Sequence, residues 1–194
     1  MLPSFSAAPS NEHPKQGLAD MLIDYLVSRY PDQDLEGDIL YVSVARQRLF
    51  HVRHGRMISE HLISTAAAGL GSEQDSYRTP EGLHRVAEKI GGDVPIGGVL
   101  KDREFTGEVA DLKHPDATRD VITSRILWLE GLEPGSNQGG SVDSHDRYIY
   151  IHGTGDEGSL GRPSSMGCIR MRNRDVIALF DVVDIGTLVV VLNN

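Results

Sequence analysis

The sequence has a single cysteine, Cys168, and one thiol excludes an internal disulfide. Such a chain suits a reducing compartment, and equally an exported protein that keeps one thiol free. Apolar runs are short, and none approaches the roughly 20 residues of a membrane-spanning helix. Basic residues are outnumbered: 19 Lys and Arg stand against 28 Asp and Glu, a formal net charge of −9. Without a dense basic stretch no nucleic-acid partner is expected, and the acidity serves solubility. The start, Met1 to Ser10, lacks a basic n-region and a continuous apolar h-region, so no signal peptide is read there. Eight histidines invite a metal reading, yet neither HxxxH nor CxxC spacing occurs, and no GxxxxGK[ST] or strand-linked GxGxxG is found. No metal, nucleotide or other cofactor is therefore expected.

What is present is enough for one ordinary domain with a small attachment: 194 residues, 39% of them hydrophobic. Residues 1–15 read as a flexible arm. Leu18, Met21, Leu22, Tyr25 and Leu26 then follow a helical period, which predicts an amphipathic helix over Leu18–Tyr30, ended by Pro31 and covering an apolar patch. From Asp38 the period changes to two. Strands are predicted over Ile39–Ala45, Arg48–Arg53 and Met57–Ser64, with Gly55 in a hairpin turn, and then near Leu83–Ile90. One short strand is expected within residues 93–105, a longer one within 121–132, and another in "RYIYIHG". Asn173 reads as the N-cap of a late helix whose apolar face is Val176, Ile177, Phe180 and Val183, and Gly186 leads out to a final strand in "TLVVVL". The expectation is a mostly-β protein, with residues 1–37 as arm and helix and 38–194 as one domain.

The chemistry gathers in "HGTGDEGSLGRPSSMGCIR", from His152 to Arg170. A thiolate is a strong nucleophile when a neighbour can take the thiol's proton, and His152 is the candidate base for Cys168. Glycines along the loop permit it to fold back and join its ends. The amides of Gly167 and Cys168 are candidate oxyanion donors. The Gly153 carbonyl is placed to orient the imidazole, with Asp156 as the side-chain competitor. Arg170 lies two positions past the nucleophile, which on one strand means the same face. It either holds a substrate carboxylate or makes a structural ion pair. Ser165 either hydrogen-bonds in the site or shapes the turn. His145 reads as a solvated loop residue.

"YIYIHGT", then "SSMGCIRM", a helix and a last strand resemble the L,D-transpeptidase catalytic domain (the YkuD family). Ser165, Gly167, Cys168, Ile169 and Arg170 match that family's Ser/Thr-His-Gly-Cys element, and "RTPEGLHRV" resembles its Thr-Pro-x-Gly strand start. The resemblance runs from about Asp38 to Leu192. It implies a β-sandwich whose Cys loop lies at one end. It also implies attack by Cys168 on a peptidoglycan stem tetrapeptide, with His152 managing protons, D-alanine leaving, and an amine acceptor closing a crosslink without metal or cofactor. Carbapenem-type β-lactams would be inhibitors. Two alternatives stay open: an L,D-carboxypeptidase or amide hydrolase on the same scaffold, and a weakly active peptidoglycan-binding module. Met166 departs from the pattern, standing where the family has a second histidine, and is expected to pack beside the thiol and limit water. The family works in the cell envelope, and with no visible signal sequence a cytoplasmic location stays open.

Overall fold

The structure, a computed structural model, describes residues 12–116 and 120–194. The chain enters through α1 (Glu12–Arg29), then β1 (Asp38–Ser43), β2 (Arg48–Arg53), β3 (Arg56–Ser64), β4 (Gly82–Ile90), β5 (Gly98–Lys101), β6 (Glu104–Val109), β7 (Ile122–Gly131) and β8 (Tyr150–Thr154). It ends through β9 (Ile169–Met171), α2 (Asn173–Val182) and β10 (Leu188–Leu192). The strands hydrogen-bond in the order β4-β10-β1-β2-β3-β9-β8-β7-β5-β6, and β4 also pairs with β7. That last pairing closes the ladder on itself, so the sandwich expected from the sequence has its layers joined through shared strands. Closure hides the edges that would otherwise offer unpaired N–H and C=O groups. β6 stays at an open edge, with every residue exposed and two glutamates along it.

Alternation along the strands sorts the side chains. Leu40, Val42, Leu49, Ile63, Leu127, Leu129, Ile151, Ile169, Val189 and Val191 point into one core, and α2 adds Val176 and Leu179 to it, followed by Val183 at its C-cap. On the outer face of β1, β2 and β10, Ile39, Tyr41, Phe50, Val52, Leu188 and Val190 form a second cluster, which α1 covers with Ala19, Leu22 and Leu26. Leu26 is fully buried, worth about 2 kcal/mol for a side chain of that size.

Several boundaries differ from the sequence reading. The arm of residues 1–15 lies outside the described residues up to 11, and α1 starts at Glu12 because Pro14 falls in its first turn, where no intrahelical N–H is lost. The buried stripe of α1 is Ala19, Leu22 and Leu26, while Met21 and Tyr25 face outward. Residues 93–105 hold not one strand but β5 and the start of β6, joined by a two-residue turn. Tyr148 has a left-handed backbone (φ 56°), so the strand expected from Arg147 begins only at Tyr150. Asn173 does not cap α2; the cap residue is Arg172, without a side-chain bond, and the Asn173 amide is spent elsewhere. Among the described residues no helix is long and apolar enough to cross a membrane.

Candidate active site

β8 and β9 run parallel, with Ile151 beside Ile169 and His152 beside Arg170. Period two then puts the isoleucines in the core and leaves Tyr150, His152, Cys168 and Arg170 on the opposite face. β7 pairs antiparallel with β8 and sets Ile126 opposite His152 and Trp128 opposite Tyr150. Val94, Leu100, Ile126, Trp128 and Tyr150 form a third apolar cluster, and Cys168 packs against it. The thiol and the imidazole thus share one face of two adjacent strands.

Cys168 is half-buried. Its thiol donates to the Tyr148 carbonyl at 3.3 Å, and the Tyr150 N–H donates to Sγ at 3.4 Å. The left-handed turn at Tyr148 aims that carbonyl at the sulfur. The loop before Cys168 is pinned from the β3 side: the Ser165 N–H donates to Thr65 O at 2.9 Å, and the Ala67 N–H donates to Ser165 O at 2.9 Å. Thr79, from the "RTP" stretch and fully buried, accepts from the Ala66 N–H and donates to Gly167 O at 2.9 Å. Ser165 Oγ donates to Cys168 O at 2.6 Å and accepts from the Gly167 N–H at 3.3 Å, so this serine shapes the turn at Cys168. Gly167 sits at φ 127°, with Arg78 O and Ile149 Cδ1 each 3.4 Å from where a Cβ would stand. A side chain there would be strained on both counts.

His152 is buried, and its Nδ1 lies 2.8 Å from Gly153 O. A carbonyl only accepts, so Nδ1 carries the proton and Nε2 is left as the basic nitrogen. Asp156 is not the ring's partner. Gly153 is required by close approach: a Cβ would lie 2.5 Å from Thr123 O and 2.7 Å from Asn173 Oδ1. Burial pushes the His152 pKa down; the Gly153 bond and Asp120 oppose this, and Arg170 adds to it. Burial pushes the Cys168 thiol up, against the Tyr150 N–H bond and the positive fields of Arg170 and Arg147. The resting pair is therefore a neutral thiol and a neutral imidazole.

Arg170 is buried and ion-paired with Asp120, and its Nη1 donates to Ser164 Oγ at 3.3 Å. Of its two expected roles the structure places it in the ion pair. Asn173 is fully buried behind His152. Its Oδ1 accepts from Thr123 Oγ1 and Ser124 Oγ, each at 2.6 Å, and its Nδ2 donates to Thr154 O and Glu157 Oε1, each at 2.8 Å. This one amide joins the bulge of β7 to the end of β8 and the loop after it. Met166 is 63% exposed, so it does not shield the thiol. With Tyr77, Arg147 and Tyr148 it lines an open cleft of about 230 Å³. His145 is not merely solvated: it stacks on Trp128 with ring centres 4.1 Å apart, and its Nε2 lies 3.2 Å from Glu88.

Sequence reasoning missed Tyr148, Thr79, Asp120 and Asn173. Only Thr79 carried a signal, in the Thr-Pro-x-Gly pattern. The others act through a carbonyl or through partners distant in sequence.

The family described as L,D-transpeptidase catalytic domain matches residues 37–191. A probable L,D-transpeptidase ErfK/SrfK of Salmonella typhimurium is 45% identical over 165 residues, 84% of this chain and 46% of that protein. A putative L,D-transpeptidase of Bacillus licheniformis is 51% identical over 82 residues, 39% of this chain and 50% of its own length. The chain thus spans about half the length of these relatives. Among solved structures, an L,D-transpeptidase from Mycobacterium smegmatis superposes with a TM-score of 0.51 at 17% identity, covering 80% of this chain and 58% of that one. L,D-transpeptidase 3 from Mycobacterium tuberculosis, in complex with a faropenem-derived adduct, gives 0.51 at 16% identity, covering 81% and 60%. At those identities the likeness is one of fold.

Proposed function

The chain belongs to the L,D-transpeptidase catalytic domain family, and from that premise we propose that it is a cysteine acyltransferase acting on peptidoglycan stem tetrapeptides. Cys168 Sγ attacks the carbonyl carbon of the L-configured centre before D-alanine. The thiol proton passes to His152 Nε2, and the carbonyl oxygen becomes an oxyanion. Gly167 and Cys168 supply the amides that meet it, the Gly167 N–H turning from its long bond to Ser165 Oγ. Collapse breaks the amide bond, and His152 returns the proton to the departing amine of D-alanine. A thioester remains on Cys168. An amine of a second stem attacks it and yields its proton to His152; the thiol leaves and is reprotonated.

The observation that carries this reading is the register of β8 and β9. It sets a histidine with a fixed Nδ1–H tautomer on the same face as the only thiol. The neutral resting pair makes His152 a general base that acts during attack, a role worth roughly 10²–10⁴ in rate. The exposed Met166 favours a second reading for the last step: water reaches this side of the site, which would make the enzyme an L,D-carboxypeptidase.

Incubation with a defined disaccharide-tetrapeptide, with products identified by mass, tests both. A crosslinked dimer with free D-alanine is expected, while a tripeptide alone selects hydrolysis. No product from the folded protein would leave only a peptidoglycan-binding module.

A further inference from the structure

We propose that Arg103, at the tip of the β5–β6 hairpin, reads a carboxylate of the donor stem and so sets which stem peptides the enzyme accepts. The inference rests on the stem-peptide reading above and deepens it.

The first observation is the backbone. Lys101 pairs with Glu104, so Asp102 and Arg103 are the whole turn, with φ of 50° and 70°. Two positive φ angles in a row make a primed hairpin turn, whose second position favours glycine. An arginine there carries a conformational cost that a glycine would avoid.

The second is where the side chain goes. The Arg103 guanidinium carbon lies 5.2 Å from the Trp128 ring centre and 5.3 Å from that of Tyr148, and Nη1 is 3.5 Å from Tyr150 Oη. Tyr148 and Tyr150 are the two residues whose backbone groups touch Cys168 Sγ. The cation therefore rests on the side chains of the two residues whose backbones hold the thiol. Aromatic stacking holds the guanidinium plane still, and its remaining N–H donors keep the fork geometry that matches a carboxylate.

The third is charge. In a chain of net charge −9, another arginine packed beside the site is neutralised, Arg170 by Asp120. Among the described residues no carboxylate lies within salt-bridge distance of Arg103. A stem tetrapeptide offers free carboxylates at its terminal D-alanine, at its isoglutamate and, where it carries one, at its diamino acid.

The test compares the natural protein with Arg103→Gln, on the acid stem and on stems amidated at one carboxylate at a time, reading kcat/KM for D-alanine release. Arg103→Gln is expected to lower kcat/KM on the acid stem by roughly ten- to a hundredfold, the scale of a charge-assisted contact. One amidated stem should be as poor for the natural protein as the acid stem is for the variant, and Arg103→Gln should no longer distinguish those two stems. That stem identifies the carboxylate. Unchanged kcat/KM in a folded Arg103→Gln, or equal losses on every stem, would overturn the proposal and assign Arg103 to packing alone. No D-alanine from any stem with the natural protein would contradict the stem-peptide reading itself, and this inference with it.

Discussion

At the scale of residues, burial favours the neutral forms of the thiol and the imidazole. The thiol is held above its usual value by burial, so the thiolate fraction at pH 7 is smaller than for a free cysteine and grows as pH rises. Iodoacetamide alkylation of Cys168 is expected to accelerate by about tenfold per pH unit between pH 7 and 9 without a plateau. A plateau below pH 8 would mean a resting thiolate–imidazolium pair. His152→Gln should lower turnover by roughly 10²–10⁴, the scale of a general base, in a variant whose urea midpoint shows that the buried glutamine is tolerated. His145→Ala should cost far less, since that ring stacks on Trp128 and not on the reacting atoms; a larger loss at His145 would refute the dyad. That Cys168, His152 and Gly153 come together was legible in the sequence because a strand pattern ran into a glycine loop around the only thiol. The partner of Arg170 was not legible, because Asp120 lies fifty positions away and meets it only through strand pairing. The Tyr148 carbonyl was hidden for another reason: a left-handed tyrosine inside "RYIYIHG" reads as one more alternating strand residue.

At the scale of elements, one buried amide ties β7, β8 and the loop after β8 together. Asn173 stood where an N-cap belongs, at the head of an apolar helix, and the local pattern gave no reason to look further. Its side chain instead satisfies two hydroxyls from β7, one carbonyl from β8 and the Glu157 carboxylate. Asn173→Ala would leave the buried Thr123 hydroxyl without its acceptor and the Ser124 hydroxyl with only the Gly97 N–H, and would remove the amide donor to the Thr154 carbonyl, a loss of about 2–4 kcal/mol in unfolding free energy by urea denaturation. A loss near that of an ordinary helix cap, about 1 kcal/mol, would show that water replaces the network. The strands were read well because their alternation is set by burial on one side. The β5–β6 hairpin was misjudged because Asp102-Arg103 is not a turn pair that glycine or asparagine would announce.

At the scale of the molecule, closure of the ladder and three buried clusters seal several histidines away from water. Burial holds His84 down, to about 4, and holds His61 and His152 below their usual value as well. In the unfolded chain these groups return to about 6.5. Below that pH the unfolded state takes up protons that the folded state refuses, so their contribution to stability is whole above about pH 6.5 and is lost as pH falls toward the folded values. Asp38, held low despite burial by its bonds to Arg53 and His51, adds its own loss only in more acid solution. The urea midpoint is expected to fall between about pH 7 and about pH 4.5, and His84→Gln should flatten that dependence whatever it does to absolute stability. A pH-independent midpoint would contradict this. What unites these scales is a fold that carries one thiol and one imidazole to the same face. The most direct measurement is intact-mass spectrometry of the natural protein and of Cys168→Ala after brief exposure to the stem tetrapeptide. The natural protein should gain the mass of the acyl group left when D-alanine departs, mapped to Cys168, and the variant should gain nothing. Release of D-alanine by Cys168→Ala, or an acyl group on any other residue, would contradict the account.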